Sequence, residues 1–143
     1  MPATMKALRK SHPGKGLQLE KVAVPAVGPT DVLVRVKATS ICGTDLHIYG
    51  WDRWSQGRIK PPVTLGHEFC GVVERAGEEV TAVQAGDFVS AEMHLNCGHC
   101  QQCRLGQAHI CQNLRILGID LDGAFAEFVK IPASNIIKLD PGK

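Results

Sequence analysis

Asp31-Val32-Leu33-Val34-Arg35-Val36-Lys37-Ala38-Thr39 is the stretch on which the fold of this chain turns. Val32, Val34, Val36 and Ala38 fall on one side of a two-residue repeat, with Arg35, Lys37 and Thr39 on the other. That is the pattern of a half-buried strand, because successive side chains of extended backbone point to opposite faces. The turn signal Gly28-Pro29-Thr30 precedes it, and Cys42 follows just beyond its end. Thr44 or Asp45 is expected to cap a short helix over Leu46, His47, Ile48 and Tyr49. In such a helix Thr44 and His47 stand three apart, on one face.

On either side the same grammar repeats. Residues 5–9 and 17–24 read as strands, broken by His12-Pro13-Gly14 and ended by Pro25. Residues 69–75, 88–91, 123–131 and 136–139 read likewise, with 77–86 as a turn-containing connection. Short strands separated by glycine turns, with little helix, predict a mainly β chain folded as a partly open barrel. The 15 glycines and 8 prolines among 143 residues fit that reading. Hydrophobic residues make up 44% of the chain and aromatics only 5%, so the core is expected to be built from Val, Ile, Leu and Ala. Trp51 and Trp54 read either as a local hydrophobic plug or as ligand contacts. No internal repeat or low-complexity tract occurs.

The formal net charge is +2, and Lys and Arg are dispersed without a basic block, so no nucleic-acid partner is expected. No 18-residue apolar run and no signal-peptide core occur, which predicts a cytoplasmic chain without a membrane partner.

Cysteine supplies the chemistry. Cys97, Cys100, Cys103 and Cys111 are spaced by two, two and seven residues. Sulfurs in that arrangement can surround a tetrahedral zinc at a Zn–S distance of about 2.3 Å. Disulfides across two residues would be strained and redox-active, and an iron–sulfur motif carries a different last spacing and a following proline. His99 or His109 could replace a sulfur, but four cysteines already fill a closed, structural site. Arg104 and Arg115 read as partial counter-charges or as solvated surface groups. Upstream, Cys42, His67 and Glu68 are the ligand types of a zinc site with an open position. The alternative is a buried small Cys42 and a satisfied core His67. Cys70 reads as a buried small residue.

Cys42-Gly43-Thr44-Asp45-Leu46-His47, Gly66-His67-Glu68, Gly86-Asp87-Phe88-Val89, the four-cysteine lobe and Gly123-Ala124-Phe125-Ala126-Glu127-Phe128 together resemble the catalytic, GroES-like domain of the zinc-dependent medium-chain dehydrogenases. Within that family, residues 47–54 and 59–69 are most similar to the threonine-oxidising branch. The resemblance implies one GroES-like catalytic domain over residues 1–143 with the structural zinc lobe at 94–115. It implies Cys42, His67 and Glu68 as ligands of a catalytic zinc, and Thr44 and His47 as a proton relay. Asp45 would hold the other ring nitrogen of His67, and His94 and Glu92 are weaker candidates for touching a small-molecule substrate. NAD would bind through a Rossmann domain that these residues do not carry, since no G-x-G-x-x-G turn is present. A further carboxylate ligand would lie beyond Lys143. The implied reaction is zinc-assisted oxidation of the secondary hydroxyl of L-threonine by a homo-oligomeric, tetrameric enzyme, with this stretch alone inactive. A polyol or secondary-alcohol dehydrogenase and a zinc barrel without turnover are the alternatives.

Overall fold

The computed structural model describes residues 2–140; Met1 and residues 141–143, the ends of the expected domain, lie outside the described residues. The elements run β1 (Thr4–Lys10), β2 (Gln18–Ala23), β3 (Asp31–Thr39), α1 (Gly43–Gly50), α2 (Arg53–Arg58), β4 (Val63–Thr64), β5 (Phe69–Ala76) and β6 (Phe88–Ala91). They continue with β7 (His94–Leu95), α3 (Gln101–Arg104), β8 (Arg115–Ile116), β9 (Phe128–Pro132) and β10 (Ile136–Lys138), with 3-10 turns at Ala108–Ile110 and Ala133–Asn135. Three antiparallel sheets result, in the orders β2-β1-β4, β10-β6-β5-β3-β9 and β7-β8. Residues 125–127 tie the first two together, since Leu8 N–H donates to Phe125 O at 2.7 Å and Val36 N–H to Glu127 O at 3.1 Å. The mainly β, partly open barrel expected from the sequence is therefore present. Among the described residues no helix is long and apolar enough to cross a membrane.

β3 takes the span its alternation predicts, but the burial differs. Val32, Leu33 and Val34 are all fully buried. Leu33 packs with Met5 and Phe128 beneath the β1–β2 ribbon, while Val32 and Val34 join Val73, Val89, Val129 and Ile131 in the main core. Beyond Arg35 the strand emerges, leaving Val36 half-buried and Ala38 exposed. Two register shifts against β5, between Leu33 and Val34 and between Val36 and Ala38, re-aim that half toward the site.

The expected strand over 123–131 also needs correction, since only Phe128–Pro132 is a strand. Residues 123–125 instead run against 64–66: Gly123 N–H donates to Thr64 O, Ala124 N–H to Gly66 O and Phe125 N–H to Leu65 O, each at 2.8 Å. Glycine makes this contact possible. A Cβ on Gly123 would stand 2.1 Å from Gly66 O. One on Gly66, which adopts φ +91°, would stand 2.7 Å from Phe125 N. Backbone lies directly on backbone here, and the next residue is His67.

Gly123→Ala should therefore lower stability by about 3 kcal/mol or more, or prevent folding. Gly57→Ala, inside α2 with nothing within 4 Å of where the new methyl would stand, should raise stability by about 0.5–1 kcal/mol. Urea titration of both variants checks the pair, and equal effects would contradict the backbone-contact account.

Candidate functional site

Two clusters of ligand-type side chains form among the described residues: Cys42, His67 and Glu68, and Cys97, Cys100, Cys103 and Cys111, with the ligand atoms of each within 4.8 Å of one another. In the first, Cys42 is the N-cap of α1, in place of the expected Thr44 or Asp45. Asp45 sits at the third helical position, and its Oδ2 accepts the Cys42 N–H at 2.9 Å. This reciprocal cap satisfies a donor the helix cannot pair internally, and so fixes Cys42 at the helix mouth. His67 arrives from the glycine contact of 64–66 and is only 3% exposed. Its Nδ1 faces Asp45 Oδ1 at 3.9 Å, beyond hydrogen-bond length, and neither atom has a hydrogen-bond partner. Glu68 is exposed, with Ser40 Oγ donating to its Oε2. An imidazole, a thiol and a carboxylate converging within ligand distance form a donor set that fits a metal ion.

Thr44 lies one step into α1, its Oγ1 3.8 Å from Cys42 Sγ. His47, a turn further on, is exposed, and its Nδ1 lies 2.5 Å from Asp52 Oδ2. Sequence reasoning misses Asp52 as a partner of the site, although Asp52-x-x-Ser55 is a recognisable N-cap pattern. Its Oδ1 accepts from Ser55 N at 2.9 Å and Ser55 Oγ at 3.0 Å. The Ser55 N–H, followed by His47, holds the Asp52 carboxyl below the usual carboxylate range. Trp54 meets the His47 ring edge-on at 6.2 Å, whereas Trp51 packs against Ile48 and Leu65 as a plug.

The lobe hangs from the β7–β8 ribbon. All six cysteines are free thiols. Sulfur separations are 3.5 Å for Cys100–Cys103, 3.8 Å for Cys100–Cys111 and 3.5 Å for Cys97–Cys111. A disulfide needs about 2.05 Å, whereas a tetrahedron of sulfurs about 2.3 Å from one ion has edges of about 3.8 Å. The geometry thus fits one metal ion and not a disulfide pair. Cys111 Sγ also accepts N–H groups of Cys97 and Asn113, both at 3.3 Å. The His99 N–H, followed by the Asn113 amide, lowers Cys97 to about 5. The Cys103 N–H, first among its causes, lowers Cys100, while burial pushes Cys103 up to about 12. Four sulfurs this close can all be thiolates only around a cation.

Other expected residues lie elsewhere. His94 Nδ1 pairs with Glu92 Oε1 at 2.6 Å, and both side chains are exposed. Arg115 bonds the Asp120 carbonyl at 3.4 Å. His99 Nδ1 lies 2.7 Å from Cys97 O, bracing the lobe turn. Cys70 is half-buried rather than buried, because its β5 position faces the emerging end of β3 beside Ala38 and Ser40.

The far end of α2 is pinned as firmly as its Asp52 cap. Arg58 grips the Asp120 carboxylate at both oxygens, with Nη2–Oδ2 at 2.6 Å, and Asp120 Oδ2 also accepts the Ile116 N–H at 2.8 Å. Arg58 holds the Asp120 carboxyl below its ordinary value. The folded value lies below the unfolded one, so this contribution is full above about pH 4 and lost as pH falls through the lowered value. Asp120→Asn should cost about 1 kcal/mol at pH 7, the partial exposure of Arg58 keeping the figure modest, and progressively less as pH falls through the lowered value. Urea titrations across that range check it; a pH-independent cost would assign the effect to packing.

Residues 28–141 match the family described as Alcohol dehydrogenase GroES-like domain. The chain is similar to L-threonine 3-dehydrogenase of Symbiobacterium thermophilum, at 57% identity over 136 residues, covering 95% of this chain and 39% of that protein. It is also similar to the cobalt- and zinc-bound thermostable alcohol dehydrogenase of Pyrobaculum aerophilum, with TM-score 0.83 and 36% identity, covering 94% of this chain and 41% of that one. An alcohol dehydrogenase of Escherichia coli CFT073 complexed with NADH superposes with TM-score 0.87 at 33% identity, covering 99% of this chain and 40% of that one. The chain spans about two fifths of the length of each. A match over nearly every residue from the turn before β3 to the end of the described structure leads to one conclusion: this chain belongs to the alcohol dehydrogenase GroES-like domain family.

Proposed function

We propose that this chain is the metal-binding catalytic domain of an NAD-linked L-threonine 3-dehydrogenase, with residues 94–115 as its structural zinc lobe and the dinucleotide bound by a segment these residues do not include. The observation that carries this is the convergence of Cys42, His67 and Glu68 beside the helix bearing Thr44 and His47. The similarity to a threonine dehydrogenase supports the substrate, and the metal- and NADH-bound neighbours support the cofactors. The working enzyme would be a cytoplasmic homo-oligomer.

A zinc ion held by Cys42, His67 and Glu68 would polarise the secondary hydroxyl of the substrate and lower its pKa. The chain's own residues handle the proton. Thr44 Oγ1, close to Cys42 Sγ, receives it from an alcohol bound beside that sulfur and passes its own toward His47. Donation of the His47 Nδ1–H to Asp52 leaves the lone pair on Nε2, so the ring can accept that proton and release it to solvent. A nicotinamide cofactor, when bound, would accept the hydride from the same carbon, so that L-threonine would leave as 2-amino-3-oxobutanoate and NAD as NADH.

In a protein joining this domain to its dinucleotide-binding segment, kcat/KM for L-threonine should exceed that for polyols and simple secondary alcohols. The reverse order would move the assignment to a polyol dehydrogenase. Cys42→Ser should reduce turnover by about 100-fold or more with little change in melting temperature. Cys111→Ser should instead release one zinc and lower the melting temperature, because a closed site contributes its binding energy to folding. Metal analysis of the 143-residue chain alone, under mild chelation, should find about one zinc retained per chain, in the lobe.

A further inference from the structure

Lys10 is completely buried, and among the described residues its partners are backbone carbonyls and an aromatic ring. Its Nζ donates to Gly14 O and to Gly16 O, the latter at 2.9 Å, and sits 4.9 Å from the centroid of the Trp51 ring. Two carbonyls accept from the ammonium and one aromatic face lies beside it, contacts that offset part of the cost of burying a cation. The same loop is tied to the end of α1, since Gly16 N–H donates to Tyr49 O at 2.8 Å.

What this assembly holds is unusual. Trp51 is the only non-glycine residue with positive φ among the described residues, at φ 57° and ψ 47°. A bulky side chain is disfavoured there and persists only where its surroundings impose it. The left-handed residue closes α1 and reverses the chain, so Asp52 turns back onto the helix it has just left. That reversal is what lets Asp52 reach His47, five residues earlier. A regular helix brings residues three and four apart together, and not five.

We infer that Lys10 is a positioning residue for the His47–Asp52 pair, acting through the Trp51 ring that it holds in the left-handed turn. The inference rests on the reading of His47 as the outer member of the relay. Lys10 touches neither substrate nor reacting atoms. It fixes the turn from which Asp52 orients the imidazole.

The test is NMR of the purified chain, following the His47 Nδ1–H proton at low temperature together with the Trp51 indole signals. Lys10→Met keeps the volume and removes the ammonium. It should speed exchange of the His47 Nδ1–H at least about tenfold and shift the Trp51 signals. Val73→Ala, a core change in the main cluster that does not include Trp51, should lower the melting temperature without either change. If Lys10→Met behaves like Val73→Ala, Lys10 is merely a core residue and the inference is overturned. Should Lys10→Met fail to fold, Trp51→Leu decides, since it removes the ring and leaves the carbonyl bonds in place. Unchanged His47 exchange in Trp51→Leu overturns the inference. Asp52→Asn separates the two levels: if it leaves the His47 Nδ1–H untouched, the pair itself is wrong, whatever Lys10 does.

Discussion

The approach of residues 123–125 to residues 64–66 is the constraint on which the site depends. Three backbone hydrogen bonds of 2.8 Å join the segments, and no side chain can stand between them. This contact fixes where β4 ends and where the chain enters β5. It therefore fixes His67, buried at the head of that strand, and Glu68 beside it. Close packing of backbone makes the position stiff, since interiors have little room into which a displaced strand could relax.

A second device places Cys42 against that fixed His67. The Asp45 carboxylate caps the helix start from inside the helix, so the cysteine N–H, the carboxylate and the first turn form one unit. Asp45 has two duties in a small space: one oxygen closes the cap, and the other faces the imidazole at 3.9 Å. Cap and ligand geometry are thereby coupled. Moving the helix by an ångström would disturb both.

The cysteine lobe follows a different logic. Its ligands lie within 15 consecutive residues, Cys97 to Cys111, and its sulfurs are organised by N–H groups of the same loop. A metal there would order a segment that contributes only Cys111 to the buried apolar core. The Cys42 cluster instead draws its members from two distant stretches held together by the barrel, so its integrity depends on the whole fold.

Local pattern is enough to read much of this from the sequence. The bounds of β3, the barrel class and the four lobe cysteines follow from two-residue alternation, turn chemistry and ligand spacing, because each depends on neighbours along the chain. The Cys42–His67–Glu68 set is instead implied by the family resemblance and not by spacing. Other features depend on what packs across space. Leu33 is buried because the β1–β2 ribbon lies over the second face of β3, which alternation alone marks as outward. Residues 123–127 carry strand-like side chains, but the glycine contact takes their hydrogen bonds elsewhere. Cys42, with a residue type poorly favoured as a cap, becomes one because Asp45 closes the box from within. Asp52 reaches His47 only through the left-handed Trp51, and Lys10, by sequence one more polar residue at a strand end, is the buried cation beside that ring. Sequence determined the elements and the ligand types through short-range periodicity. Tertiary structure decided which groups face one another, because burial, close backbone approach and chain reversal are set by partners far away in the chain.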